Sequence, residues 1–245
     1  MIRLCIIGNS HAAALKRATD AFRADHPEVR LSFFAAPSRE TAALEVTDGR
    51  YAASTPELAA QLRLTSGGHD DIVPSEYDAF LVYGFGGRGD FSDNPRLLSA
   101  AFCRAVALER VRRSLLPRHI AALRQLTHAP IFAALTPLPG IDGIRKPRRL
   151  MRYKAEMAMV QAQICDPHGV TLCPQPPESL VKGRATRAEF AAGSQPLENA
   201  HRPTPGTHDR SERRHMNAAY GRVWLEHFWP RLRATLADGP KRAAE

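Results

Sequence analysis

Apolar residues in this chain come in short unbroken runs that alternate with helical stripes. "RLCIIG" (3–8) is an apolar run closed by glycine, the pattern of a strand buried on both faces. "SHAAALKRATDAFRADH" (10–26) sets Ala14, Leu15, Ala18 and Phe22 at helical spacing, and "VRLSFFAA" (29–36) is a second apolar run. Strand, tight turn, helix and strand make a βαβ unit with parallel strands. Further strands are expected at "YDAFLVYGFGG" (77–87), "APIFAALTPLP" (129–139) and "GVTLCPQP" (169–176). Helical spacing covers 95–126, with a break at Pro117, then 148–165 and 217–237.

Two segments depart from this alternation. Residues 41–66 hold Asp48-Gly49, a hairpin signal, and predict an excursion from the sheet. From 177 to 210 Pro and Gly are frequent and periodicity fades, so a long loop or lid is expected. The sum is a single α/β domain over 1–238, with a mostly parallel central sheet of about five strands and a flexible tail at 239–245. Ligand sites in open parallel sheets lie at the carboxyl ends of strands, which directs attention to 8–11, 84–87, 136–140 and 174–176.

Composition narrows the function classes. With 44% hydrophobic and 24% charged residues the chain has the balance of a globular protein, so disorder throughout is excluded. Lys plus Arg is 34 against 25 Asp plus Glu, a net charge of +9 that attracts anionic partners. No recognised nucleic-acid motif accompanies the charge, so nucleic acid is not the expected partner. The densest basic cluster is Arg145, Lys146, Arg148, Arg149 and Arg152, the best candidate for an anion contact. None of the four cysteines forms a C-x-x-C pair, which gives no zinc pattern and suggests a reducing, cytoplasmic setting. The apolar run at 4–7 is too short for a signal peptide, and no run is long enough for a membrane span. "GFGGRG" (84–89) lacks the Walker lysine and the dinucleotide spacing, while "HDD" (69–71) and "THD" (207–209) read as polar loops; no cofactor or metal is expected.

The candidate chemistry lies at the two ends of the domain. Gly8-Asn9-Ser10-His11 closes the first strand and opens a helix. A serine there either caps the helix or holds its hydroxyl beside the positive end of the helix dipole, where backbone N–H groups favour a developing oxyanion. Before the last helix stands "THDRSERRHMNAAYG", with Glu212 three residues and Asp209 six residues ahead of His215. A nucleophilic serine needs a base, and the base needs a carboxylate to orient it.

Together these ends resemble the SGNH/GDSL hydrolase family. Its first block is a strand followed by a Gly-Asp-Ser turn, and its last is Asp-x-x-His before the C-terminal helix. Here the blocks read Gly8-Asn9-Ser10-His11 and Glu212-Arg213-Arg214-His215-Met216-Asn217, with asparagine and glutamate where the family has aspartate. The resemblance spans nearly the whole chain on two short motifs. It implies a flavodoxin-like three-layer sandwich, with Ser10 as nucleophile, His215 as base, Glu212 as the acid and Asp209 in reserve. The oxyanion hole would combine the Ser10 N–H with Gly67 or Gly68. The family's third-block asparagine is replaced by glycine in Gly84-Phe85-Gly86-Gly87, so the N–H of Gly86, or the side chain of Asn9 or Asn94, would stand in for it. His11, Phe85 and Asn217 are implied as substrate contacts. The implied activity is hydrolysis of an O-acyl ester, with a carbohydrate ester as the guess, and the partner is that small-molecule or glycan substrate. The alternatives are an O-acyltransferase using the same site and a non-catalytic, polysaccharide-related binding protein on this fold.

Overall fold

The computed structural model describes residues 1–86, 98–141, 151–202, 206–209 and 211–239. The opening βαβ unit is β1 (Ile2–Gly8), α1 (Ala12–Asp25) and β2 (Val29–Ala35). Next come β3 (Leu44–Thr47), β4 (Arg50–Ala53), α2 (Pro56–Ser66) and the two-residue β5 (Asp71–Ile72). The chain returns to the main sheet with β6 (Ala79–Tyr83), then forms α3 (Ala100–Arg112), α4 (Leu116–Leu126), β7 (Ile131–Ala134) and β8 (Gly140–Ile141). It continues through α5 (Tyr153–Val160), β9 (Val170–Leu172), β10 (Leu180–Val181), β11 (Ala185–Arg187) and α6 (Ala218–Ala237).

The main sheet has the order β2-β1-β6-β7-β9, and every pairing in it is parallel. Numbered by their place in the sheet alone, that order is 2-1-3-4-5, the flavodoxin-like winding. Its direction reverses between β1 and β6, and a crevice opens at the carboxyl ends of these two strands. Helices cover both faces, as a two-sided apolar sheet requires. Along β1, Leu4 and Ile6 enter one core while Cys5 and Ile7 enter the other, following the two-residue period of a strand. The first core is closed by α1 and α6, the second by α2, α4 and α5. Among the described residues, no helix is long and apolar enough to cross a membrane.

The excursion at 41–66 is a hairpin followed by a helix. Asp48 and Gly49 both take positive φ, +49° and +73°, which is the turn that matches strand twist. The Thr55 side chain caps α2 and Gly67 ends it with φ +86°, so local residues set both ends. The single helical stripe expected at 95–126 is two helices, restarted at Leu116 with Pro117 in the first turn of α4.

Residues 177–202 differ from the expected loose loop. β10 and β11 pair antiparallel, β11 pairs with β8, and Ala191 and Leu197 are buried in the first core. Polar contacts, invisible to periodicity, do the ordering. The buried Gln175 donates to Ser179 Oγ (3.1 Å) and Thr186 Oγ1 (2.8 Å) and accepts from Leu138 N–H (3.0 Å). The basic cluster at 145–152 falls outside the described residues except for Arg152, and the expected tail does so beyond Gly239.

Candidate active site

The four residues of the first turn have four separate jobs. A Cβ on Gly8 would meet Ala12 Cβ at 2.7 Å, so only glycine lets β1 turn directly into α1. Asn9 is buried and works as a clamp. Its Nδ2 donates to Gly84 O (2.6 Å) and Ser38 Oγ (3.0 Å), and its Oδ1 accepts from His11 N–H (3.0 Å). Gly84, at φ +89°, has no room for a Cβ, which would fall 2.6 Å from Asn9 Oδ1. Asn9 thereby ties the end of β1 to the end of β6 and has no amide hydrogen to spare for an oxyanion.

Ser10 does not cap α1. The helix begins after His11 without a side-chain cap, and Ser10 Oγ lies 3.0 Å from His215 Nε2. The loop carrying His215 is pinned on two sides. Gly140 N–H of β8 donates to Arg213 O (2.7 Å), and Asn217 Nδ2 donates to Glu189 O (2.8 Å) and Ala192 O (2.9 Å). Asn217 also caps α6 by accepting from Tyr220 N–H. Its polar atoms are thus occupied in holding the loop, a structural task in place of the expected substrate contact.

The His215 ring is stacked on both faces. His11 lies against one at 4.7 Å between centroids (23° between planes), and His208 lies 4.5 Å away at 14°. His208 is the residue that the sequence did not single out for this role; nothing in Thr207-His208-Asp209 announces it. Glu212 Oε1 is 3.7 Å from His215 Nδ1, within ion-pair range but beyond a hydrogen bond, and it accepts the N–H groups of Arg214 and His215. Burial pushes the Glu212 carboxyl up, but the two N–H donors and the charges of His215 and His208 outweigh it and hold it below the usual carboxylate range. Asp209 is exposed and accepts from Ser211 N–H and Oγ, which holds it away from the reserve role.

The expected oxyanion donors separate. Gly67 and Gly68 both donate to Arg63 O in the cap of α2, so their N–H groups are spent there. Among the described residues, the N–H groups of Ser10 and Gly86 have no acceptor. Asn94 falls outside the described residues. Phe85 is 3% exposed and packs on His119 at 4.7 Å, so it is mainly a core residue, with one edge in the crevice wall. Burial raises the thiol of Cys5, that of Cys165 to about 12 and that of Cys173 to about 11, so these remain protonated and unreactive. Among the described residues, no group of three His, Cys, Asp or Glu side chains is arranged to hold a metal ion.

The chain matches no protein-family model and no curated protein. Among solved structures it is similar to the periplasmic domain of a lipopolysaccharide acetyltransferase from Salmonella ser. Paratyphi A, with a TM-score of 0.48 and 10% identity over 94% of this chain and 83% of that one. It is also similar to a carbohydrate acetylesterase family member from Sinorhizobium meliloti, with a TM-score of 0.37 and 12% identity over 97% of this chain and 100% of that one.

Proposed function

We propose that this chain is a serine acyl-ester enzyme of the SGNH type, with Ser10 as nucleophile and His215 as base. The observation that carries the proposal is the 3.0 Å approach of Ser10 Oγ to His215 Nε2, between residues 205 positions apart, at the switch point of the sheet. The Ser10 hydroxyl donates to Nε2, and the imidazole takes its proton as Oγ attacks the ester carbonyl. The oxyanion of the tetrahedral intermediate faces the N-terminal end of α1, with the Ser10 N–H as first donor and Gly86 N–H as second. Collapse expels the alcohol, which takes the proton from His215. Water then gives a proton to His215 and attacks the acyl-serine, releasing the acid and restoring Ser10. A sugar hydroxyl in place of water would turn the same site to acyl transfer. Glu212 supports the imidazolium charge from 3.7 Å, and the stacked rings of His11 and His208 hold the imidazole plane. The substrate class is an O-acyl ester, narrowed by the family resemblance to a small acyl group on a carbohydrate.

A fluorophosphonate probe tests this. The expected result is one covalent adduct, on Ser10, absent from Ser10→Ala, with ester turnover in that variant lower by at least about a thousandfold. A folded wild-type protein that takes no adduct and turns over no ester overturns the proposal in favour of a binding protein on this fold.

A further inference from the structure

The crevice beside Ser10 carries a charge pattern for which the Ser–His pair has no use. A cavity of about 640 Å³ opens at the carboxyl ends of β1, β2, β6 and β7, with Asn9 of the Ser10 turn in its wall. That volume suits a sugar-sized ligand. Phe85 and Leu115 give it an apolar side, and Arg39, Arg110 and Arg113 are among its lining residues. Among the described residues lining it there is no carboxylate.

The arginines come from different elements. Arg110 belongs to the last turn of α3 and Arg113 follows it, where cations complement a helix C-terminus. Arg39 has no such helix end to serve; it follows β2 in the chain and lines the same cavity. Arg113 Nε donates to Glu109 at 2.6 Å, an exposed pair of small worth. Arginines in a lining that has no carboxylate among its described residues favour an anion over a neutral ligand. Guanidinium groups match the planar oxygens of carboxylate and phosphate two bonds at a time.

We infer that this cleft binds an anionic group, carboxylate or phosphate, carried by the ester presented to Ser10. The inference rests on the proposed role of Ser10 for its place in catalysis, though not for the binding itself. Isothermal titration of the full-length Ser10→Ala protein tests binding without turnover, with glucuronate, glycerol 1-phosphate and uncharged glucose as probes. The expected result is binding of at least one anion, with glucose at least about tenfold weaker. Arg39→Gln and Arg113→Gln should each weaken that anion about tenfold, and added salt should weaken it further. The tighter of the two anions identifies the group. Equal affinity for glucose, no binding of any probe, or variants that bind as the parent does would overturn the inference. Intact anion binding in a protein whose wild type takes no phosphonate adduct would sink the role of Ser10 and leave the cleft standing; a Ser10 adduct without anion binding does the reverse.

Discussion

In the proposed mechanism the His215 imidazole takes a proton from Ser10, which requires its ring plane to be held, and two other imidazoles stack against it. Glu212 is too far from Nδ1 for a hydrogen bond, whereas His11 and His208 cover both faces of His215 at 4.7 and 4.5 Å. Removing one cover should tilt the ring and lengthen the path of the proton. His208→Ala is therefore expected to lower kcat by about tenfold to a hundredfold with KM unchanged. His208→Phe, which keeps a flat ring against His215, should recover most of the loss; a Phe variant no better than Ala would show that stacking is not what His208 supplies. The approach of Ser10 and His215 could be anticipated from the sequence because each stands in a short motif at a helix entrance. The clamp role of Asn9 could not, since it depends on a carbonyl 75 positions away, at Gly84. His208 was hidden for the same reason: seven residues upstream of His215, it shares no helical or strand period with it.

At the scale of elements, the hairpin β3–β4 meets α4 through a buried polar contact. The Tyr51 hydroxyl and His119 Nδ1 are 2.7 Å apart, and Phe85 closes over the ring. Burial, assisted by the charge of Arg118, lowers the His119 pKa to about 3. The unfolded chain takes up this proton below about pH 6.5, whereas the folded chain refuses it until about pH 3. Between those limits the unfolded state binds more protons, so stability falls with acidification, approaching about 1.4 kcal/mol per pH unit from this group. Urea unfolding at pH 7 and pH 5 should show the loss, and His119→Phe should flatten it; identical slopes for the two proteins would remove His119 as its source. The hairpin itself could be read from Asp48-Gly49, because a two-residue turn is a local event. Residues 177–202 could not, because side-chain hydrogen bonds of Gln175 and Thr186 order them, and such bonds leave no period in the sequence. They also pin the loop that carries His215, through Asn217.

For the whole molecule, the alternation of strands and helices was enough to predict a parallel sheet with the site at its carboxyl edge, and the order β2-β1-β6-β7-β9 agrees with the winding implied by the family resemblance. The arginine-lined cleft was out of reach, because Arg39 and Arg113 come to line one cavity only when that winding is complete. What brings Ser10 to His215 is the packing of α1 on α6, since each residue lies just ahead of one of these helices. Gly221 stands in this contact, where an added Cβ would collide with the backbone of Ala14. Neither backbone gives way cheaply, so Gly221→Ala should cost at least about 3 kcal/mol, a fall in Tm of roughly 6 to 12 °C by calorimetry. A variant with unchanged Tm would mean that the helices slide without penalty. The same contact bears on synthesis. A growing polypeptide carries Ser10 long before the segment that holds His215 has been made. Until α6 packs on α1, Ser10 lacks the His215 ring beside it, so the proposed acyl chemistry waits on the meeting of these two helices.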